Sequence, residues 1–445
     1  MEDRTTGKLR CFIKTYGCQM NSRDSENMAS MMEEAGFLPA SGIDDAGIVV
    51  FNTCCVRESA EDRFFGHLSR LKPVKAKRPE LVIAISGCMS QQEKMKSFIE
   101  KKHPYVDIVI GTGNRHLLPV LVKEVMENRK SVYDTSGVDA MPGGVFNPAS
   151  REHRHKAGIN IMYGCSNFCS YCIVPYVRGP ERSRGKEEIA GEAKLLAEDG
   201  VKEIMLLGQN VNSYGKGTGS SFAELARLVS EIDGIRRIRF MTSHPKDFSS
   251  ELVKALRDLP KMCKHVHLPL QAGSTKVLKD MNRGYSKEDY LALVAKIKTE
   301  VPGAAITTDI IVGFPGETED DFADTLDVVR KARFSGAFTF IYSKRSGTPA
   351  ASLENAVPED VSKMRFERLT SALYPFMREF NEEKLGLVYA AMVDEADEGG
   401  NCKGRLDDHT LVHFFAGDPP PQPGSFVRVK ITEARTFYVL GAMEQ

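Results

Sequence analysis

The sequence predicts an α/β multidomain protein: an N-terminal parallel α/β sheet domain, a central partial (β/α)6 barrel and a small C-terminal antiparallel β-barrel of oligonucleotide-binding (OB-like) type. Three observations carry this. Short Val- and Ile-rich runs alternate with helix-like stretches over residues 8–133. Beyond a linker at 134–150, rich in Gly, Pro and small polar residues, a second strand–helix series of six units occupies 151–376. The remainder, 377–445, has from about Leu385 onward short alternating runs with turns at Glu398-Gly-Gly-Asn401 and Asp418-Pro-Pro-Pro421, and no long helical pattern.

In the first series Phe12–Tyr16, Ile48–Thr53, Leu81–Ser86 and Val106–Ile110 read as strands. Ser25–Ala35, Ser59–Leu71 and Gln91–Lys101 place apolar residues at helical spacing between them. Strands alternating with helices imply a parallel sheet covered on both faces, with ligands gathered at the carboxyl ends of its strands. The first three strands each run into a cysteine, at Gly17-Cys18, Thr53-Cys54 and Gly87-Cys88. The fold therefore brings three thiols from distant sequence to one edge. The second series has strand candidates at Gly158–Tyr163, Glu203–Leu207, Arg237–Met241, His265–Leu270, Ile306–Val312 and Ala337–Tyr342.

Composition sets the outer bounds. With 445 residues, 42% hydrophobic and 27% charged, the chain is an ordinary globular one rather than disordered or fibrous. No window approaches the ~20 apolar residues of a membrane span. The start, Met1-Glu-Asp-Arg-Thr-Thr-Gly-Lys8, leads into no signal-peptide core, so the expected location is cytoplasmic. In that compartment the ten cysteines point to metal or redox chemistry rather than a disulfide framework.

Only Cys165, Cys169 and Cys172 cluster, as Cys165-Ser-Asn-Phe-Cys169-Ser-Tyr-Cys172. Three thiolates on one loop suit three irons of a 4Fe–4S cluster and leave the fourth open to a small molecule. Zinc is the weaker reading, because structural zinc takes four ligands and His153 and His155 stand at no usual spacing.

This Cys-x3-Cys-x2-Cys run, with an aromatic residue before its third cysteine and at the end of the first barrel strand, resembles the radical S-adenosylmethionine (SAM) superfamily. The resemblance implies that the open iron chelates the methionine moiety of SAM, and that reduction cleaves SAM to a 5′-deoxyadenosyl radical. Flanking text narrows the resemblance to the methylthiotransferases: Tyr16-Gly-Cys18-Gln-Met-Asn21, Asp24-Ser-Glu26, Asn52-Thr-Cys54-Cys-Val-Arg57-Glu and Gly87-Cys88-Met near the start. The barrel adds Pro175-Tyr-Val-Arg-Gly-Pro-Glu-Arg-Ser-Arg184, Leu207-Gly-Gln-Asn-Val-Asn-Ser-Tyr-Gly215, Thr242-Ser-His-Pro245, His267-Leu-Pro-Leu-Gln271 and Asp309-Ile-Ile-Val-Gly-Phe-Pro-Gly-Glu317. Gly404-Arg405 and Val429-Lys-Ile-Thr-Glu-Ala434 resemble the TRAM RNA-binding domain.

By that resemblance Cys18, Cys54 and Cys88 hold a second, auxiliary 4Fe–4S cluster. Gln19-Met-Asn21 and Val56-Arg-Glu58 are similar to the MiaB type, which methylthiolates carbon 2 of N6-isopentenyladenosine beside the tRNA anticodon, at position 37, using two SAM molecules. Alternatives in the class act on N6-threonylcarbamoyladenosine or a ribosomal-protein aspartate. A two-cluster electron carrier or RNA-binding sensor is the rival from another class, although a carrier completes each cluster with a fourth cysteine. The implied partners are a tRNA anticodon stem-loop and an electron donor such as flavodoxin or ferredoxin, with the enzyme a monomer and no membrane involved.

Departures from the family text are Cys55, Ala272 where serine is usual, and Lys344-Arg-Ser346 in place of a more proline-rich stretch. Cys55 reads as a buried small hydrophobe, as do Cys11, Cys263 and Cys402. Tyr171, Gln209, Ser243, Gln271 and Asp309 are the candidate SAM contacts, the last four being at barrel strand ends. The plainer alternative is that Tyr171 packs and the others cap a strand or helix. His244 and His267 read as structural.

RNA binding needs positive charge. From Leu385 the tail carries five Lys/Arg against nine acids, a net of −4, which argues against bulk electrostatic grip there. Residues 62–79 and 151–186 are each net +5. They suggest a tRNA surface built from Arg70, Lys72, Lys75, Arg178, Arg182 and Arg184, with Arg405 from the tail; a solvated helix face is the alternative.

Overall fold

A computed structural model describes residues 9–55, 58–138 and 151–444, with side chains at 58–60 excluded. Val56, Arg57 and most of the expected linker lie outside the described residues. The chain forms two compact units: the first is 1–152 with 162–166 and 172–182, and the second is 153–161, 167–171 and 183–445.

The first unit is a six-stranded parallel sheet. Its strands are β1 (Arg10–Thr15), β2 (Leu38–Pro39), β3 (Ile48–Thr53), β4 (Val82–Gly87), β5 (Ile108–Ile110) and β6 (Val132–Asp134), ordered β2-β1-β3-β4-β5-β6. Four strands are those expected from the Val/Ile runs. The edge strands β2 and β6 were not foreseen, because two or three residues leave no periodicity to read.

The intervening helices are α1 (Gln19–Glu34), α2 (Glu58–Lys77), α3 (Glu93–Lys102) and α4 (Leu118–Asn128). Alternation along β3 and β4 divides the core. Val49, Phe51, Ile83 and Ile85 pack with Phe64, Leu68 and Leu71 of α2 and Ile99 of α3. Ile48, Val50, Val82 and Ala84 pack with Met28, Met31 and Met32 of α1 and Leu118, Val122 and Val125 of α4. Both strands are buried on both faces, as their consecutive apolar residues require.

Short strands β7 (Lys156–Asn160), β8 (Met162–Tyr163) and β9 (Arg182–Ser183) flank helix α5 (Val174–Arg178). Ile173 and Val177 join the apolar core around Phe51, Phe64 and Cys88, so the segment after Cys172 belongs to the sheet unit.

In the second unit β7, β10 (Glu203–Leu207) and β11 (Arg237–Phe240) form one parallel sheet, and β12 (His265–His267), β13 (Ala305–Val312) and β14 (Gly336–Ile341) another. A parallel bridge Ile238–Met262 follows β11 toward β12. This is the expected six-unit series as an open barrel.

Its helices are α6 (Lys186–Glu198), α7 (Phe222–Ser230), α8 (Ser250–Asp258), α9 (Thr275–Asp280), α10 (Lys287–Glu300), α11 (Glu319–Ala332) and α12 (Glu359–Glu382). Three begin with reciprocal caps, Ser221 with Glu224, Ser286 with Asp289 and Thr318 with Asp321. The expected division at 376/377 falls inside α12, so the chain leaves the barrel within a helix rather than between elements.

The C-terminal strands β15 (Val388–Ala396), β16 (Asn401–Arg405), β17 (Leu411–Phe415), β18 (Phe426–Ala434) and β19 (Val439–Met443) close into a barrel ordered β15-β16-β17-β19-β18. The β17–β19 pair is parallel, so the barrel is not wholly antiparallel. It meets the amino-terminal ends of the large barrel's strands. Arg237 donates to the carbonyls of Arg405 (2.7 Å) and Ala390 (2.9 Å), Arg239 to those of Leu406 (2.8 Å) and Asp407 (3.0 Å), and Lys156 pairs with Asp394 at 2.9 Å. The small barrel thereby plugs the floor of the large one, leaving the carboxyl ends of the strands for chemistry. No helix among the described residues is long and apolar enough to cross a membrane.

Candidate functional site

The strand order of the first unit reverses between β1 and β3, the place where open α/β sheets bind ligands. Cys18 follows β1, Cys54 follows β3 and Cys88 follows β4, in parallel register with Thr53 opposite Gly87. Two glycines let these loops close. Gly17 has φ +126°, and a β-carbon there would lie 2.5 Å from Cys54 Cβ. Gly87 has φ +104°, with the carbonyl of Thr53 2.3 Å from where its β-carbon would be. Only glycine tolerates both the conformation and the approach.

Asn21 ties the loops together: its amide donates to the carbonyls of Tyr16 (3.1 Å) and Thr53 (2.9 Å), and the Cys18 thiol donates to its oxygen at 3.6 Å. Cys54 and Cys88 are buried, whereas Cys18 is exposed. The expected convergence of the three loops on one edge is found; among the described residues no three ligating groups close into a metal-holding set. Cys55 is buried as expected, and it is more than filler. Hydrogen bonding from the Cys55 thiol, with the Arg178 guanidinium, pulls the Cys88 thiol down to about 6.

Arg178 corrects one expectation. As the last residue of α5 it is only 4% exposed. It donates from Nε to Cys88 Sγ (3.1 Å), from Nη1 to Asp24 Oδ2 (2.8 Å) and from Nη2 to Asn21 Oδ1 (3.0 Å). Every arm is used internally, so it is no phosphate contact. Arg115, also buried, shares that Asp24 oxygen at 3.0 Å.

The loop of the second triplet is fixed within each unit in turn. Gly164 (φ +77°) lies against the Pro180 carbonyl, and Cys165 N–H donates to Gly179 O at 3.0 Å. In the other unit, Asn282 Nδ2 donates to the carbonyls of Phe168 (3.0 Å) and Asn167 (3.2 Å), and Ser170 N–H to Met281 O (3.0 Å). Buried Arg283 donates from Nη1 to Cys169 Sγ at 3.3 Å and from Nη2 to Pro269 O at 3.2 Å. Sequence reasoning missed Arg283, which sits 114 residues from Cys169 in Met281-Asn-Arg-Gly284 with no spacing to announce it.

The barrel's carboxyl ends carry buried polar groups without partners among the described residues: Ser243 Oγ, His244 Nε2, Asn210 Oδ1 and both ends of the Asn212 amide. Burying such atoms unpaired costs ~1–3 kcal/mol each, so their concentration at one mouth fits a polar ligand such as SAM. Gln209 adjoins Asn210 there, half-buried. Gln271 (φ +67°) bridges to β13, its N–H donating to Asp309 O at 2.8 Å. Asp309 Oδ2 lies 3.4 Å from His267 Nε2.

Tyr171, partly buried, packs against the apolar cluster that contains Ala272, Leu278, Met281 and Phe314. His244 caps a short turn through Nδ1, and burial with the Arg283 and Lys246 cations drives its pKa down to about 2. His267 bonds Thr307 at 3.0 Å. Each thus has one hydrogen bond within the fold, while His244 Nε2 stays open at the barrel mouth among the described residues.

Of the basic residues, Arg70 and Lys72 are exposed on α2. Lys75 turns inward to Asp107 at 2.8 Å, Arg184 to Glu188 (2.6 Å) and Glu192 (2.8 Å), and Arg182 to the carbonyls of Val138 (2.9 Å) and Arg178 (3.1 Å). Arg405 bonds His409 O at 3.1 Å on the floor side of the barrel. Of the seven, Arg70 and Lys72 alone stay exposed, and the other five have partners within the chain.

Fold and cysteine loop together define a radical SAM enzyme. Residues 159–329 match the Radical SAM superfamily, and residues 10–111 match "Uncharacterized protein family UPF0004". The fold is similar to that of TsrM, a radical SAM methyltransferase from Kitasatospora setae (TM-score 0.57, 16% identity, 77% of each chain). It is also similar to OxsB, a cobalamin-dependent SAM radical enzyme (TM-score 0.53, 12% identity, 83% of this chain and 58% of that one).

Relatives named tRNA-2-methylthio-N(6)-dimethylallyladenosine synthase are 48% identical in Acetivibrio thermocellus (98% of this chain, 92% of the relative) and 49% in Caldicellulosiruptor saccharolyticus (98% and 93%). The chain belongs to this family of tRNA-2-methylthio-N(6)-dimethylallyladenosine synthases. It is a radical SAM tRNA methylthiotransferase acting at carbon 2 of the adenine, with SAM and 4Fe–4S clusters as its cofactors.

Proposed function

We propose that Cys165, Cys169 and Cys172 hold the SAM-binding cluster and that Cys18, Cys54 and Cys88 hold the auxiliary one. The observation that supports this most is the convergence of three cysteine loops at the switch point of the first sheet, closed by Gly17 and Gly87. When bound, the two clusters and two SAM molecules per turnover supply the radical and the methylthio group. The chain's own residues hold and shield these groups. Gln209, Ser243, Gln271 and Asp309 line the mouth where SAM's polar groups pair, and Tyr171 lies at its edge as packing and contact together.

The substrate is the isopentenyladenosine at position 37 of a tRNA anticodon stem-loop, approached over the Arg70 and Lys72 face of α2. The relatives at 48–49% identity carry the dimethylallyladenosine name, which favours this substrate over the rival readings. The enzyme works as a cytoplasmic monomer supplied by a flavodoxin- or ferredoxin-type donor. Iron analysis of anaerobically reconstituted chain tests the assignment. Replacing either triplet by alanine halves the iron, and retention of full iron refutes the ligand set for that triplet.

A further inference from the structure

Each cysteine triplet has one sulfur in the grip of a buried guanidinium. Arg178 Nε donates to Cys88 Sγ at 3.1 Å in the first unit, and Arg283 Nη1 donates to Cys169 Sγ at 3.3 Å in the second. Their exposures are 4% and 5%. Neither belongs to a surface.

Two buried cations beside Cys88 lean on one carboxylate. Arg178 and Arg115 share a single carboxylate, Asp24, at 2.8 and 3.0 Å. Arg115 Nε and Nη2 have no partner among the described residues. Two guanidiniums against one carboxylate leave an excess positive charge in a buried place, which is costly unless a further negative group is present. Besides Asp24, the groups whose charge acts most on Arg178 are the thiols of Cys88 and Cys18. Among the described residues Arg283 has no carboxylate as a hydrogen-bond partner; its partners are Tyr285 OH, Tyr171 OH, Pro269 O and Cys169 Sγ.

We propose that Arg178 and Arg283 are positioning residues that each hydrogen-bond one cluster-ligating sulfur and raise the reduction potential of that cluster alone. An N–H donated to a ligating sulfur, backed by a full positive charge, favours the more negatively charged reduced state, and hydrogen bonds to the sulfurs are an established lever on cluster potential. Asp24 sets how much of the Arg178 charge the auxiliary cluster feels. Arg178 follows Cys172 by only six residues, so the chain segment that carries the SAM-cluster loop also delivers the cation that tunes the other cluster.

The inference rests on the ligand assignment proposed above, and the experiment separates the two. The full-length chain is reconstituted anaerobically in two backgrounds, Cys165→Ala/Cys169→Ala/Cys172→Ala and Cys18→Ala/Cys54→Ala/Cys88→Ala. Iron content reports the assignment, and redox titration followed by electron paramagnetic resonance reports each cluster's midpoint. Arg178→Gln shifts the auxiliary midpoint negative and leaves the SAM-cluster midpoint in place. Arg178→Lys, which keeps the charge, falls between Gln and the unaltered chain. Arg283→Gln does the converse. Asp24→Asn shifts the auxiliary midpoint positive, and this opposite sign decides the matter should Arg178→Gln fail to fold. An unmoved auxiliary midpoint in Arg178→Gln or Asp24→Asn, or both clusters moving together, overturns the proposal.

Discussion

Gly17 stands so close to Cys54 that a β-carbon on it would lie 2.5 Å from Cys54 Cβ and 3.0 Å from Cys54 Sγ. The loop after β1 can reach the loop after β3 only because residue 17 has no side chain. Its φ of +126° is also one that other residues adopt only under strain. Gly17→Ala must therefore push Cys54 away or tilt Cys18. The expected result is loss of the auxiliary cluster, read as about half the iron per chain, with the Cys165-Cys169-Cys172 site still loading. Overpacking of this kind costs ~1–3 kcal/mol, so the chain stays folded and its melting temperature falls by a few degrees.

Cys54 and Cys55 are adjacent, both buried, and only one is assigned to the cluster. Cys54 is the one packed on Gly17, whereas Cys55 meets Cys88 from the apolar core shared with Phe64 and Leu68. Cys54→Ala is expected to abolish auxiliary iron. Cys55→Ala is expected to keep it, at a stability cost of about 1 kcal/mol for a small cavity. Equal iron loss in both variants would move the ligand role.

Much of this was legible in the residues. β3 and β4 each open on four consecutive apolar residues, and such runs in a β/α alternation have one destination, the middle of a parallel sheet. Each ends in Thr53-Cys54 or Gly87-Cys88, so the edge of convergence followed from topology alone. Arg178 was misread because a basic segment gives charge but no direction. Whether a guanidinium points to solvent or to a thiol 90 residues away depends on how α5 docks. Arg283 left no trace because tertiary neighbours distant in sequence have no period. β2 and β6 were too short to signal.

Acid should loosen the second unit through two stacked histidines. His265 and His409 lie with ring centroids 4.8 Å apart where the small barrel meets the large one. Burial holds both far below the ordinary imidazole pKa, and Arg239 and Arg405 face both rings, with His267 beside His265 and Lys156 near His409. A folded-state pKa below the unfolded one means that the unfolded chain binds more protons at acid pH. Stability is therefore full above the unfolded value near 6.5 and declines as pH falls beneath it. Each such histidine adds at most about 1.4 kcal/mol per pH unit to that slope. His409→Asn should flatten the fall in melting temperature between pH 6.5 and 5; an unchanged slope would contradict the assignment.

Exposed Arg70 and Lys72 are the cations of α2 taken to meet tRNA, and Lys75 provides the contrast. Arg70→Glu with Lys72→Glu should weaken tRNA binding and reduce the salt slope by up to about two, near one for each phosphate that is no longer neutralised. Lys75→Glu, by placing a carboxylate against Asp107, should lower the melting temperature instead. A salt slope unaffected by the double reversal would place the RNA on another face.

The loop that follows β13 is pinned by one buried ion pair. Arg365 of α12 donates from Nη1 to Glu317 Oε1 at 2.8 Å and to Glu317 O at 3.1 Å, and Gly313 N–H donates to the same Oε1 at 3.2 Å. The side chains are 5% and 2% exposed. Gly313, with φ +74°, lies against Ser362 of the same helix. Burial raises the Glu317 pKa against the pull of Gly313 and Arg365, so the carboxylate depends on them to stay charged. Arg365→Met strands that carboxylate and should cost ~3–5 kcal/mol, the penalty of halving a buried pair. Glu317→Gln keeps hydrogen bonds to both partners but leaves Arg365 without its counter-ion. Combining the two removes both charges, so the double variant should be more stable than the sum of the single losses predicts. Denaturant melts of the four chains give the coupling directly, and strict additivity would show that the pair does not act as a unit.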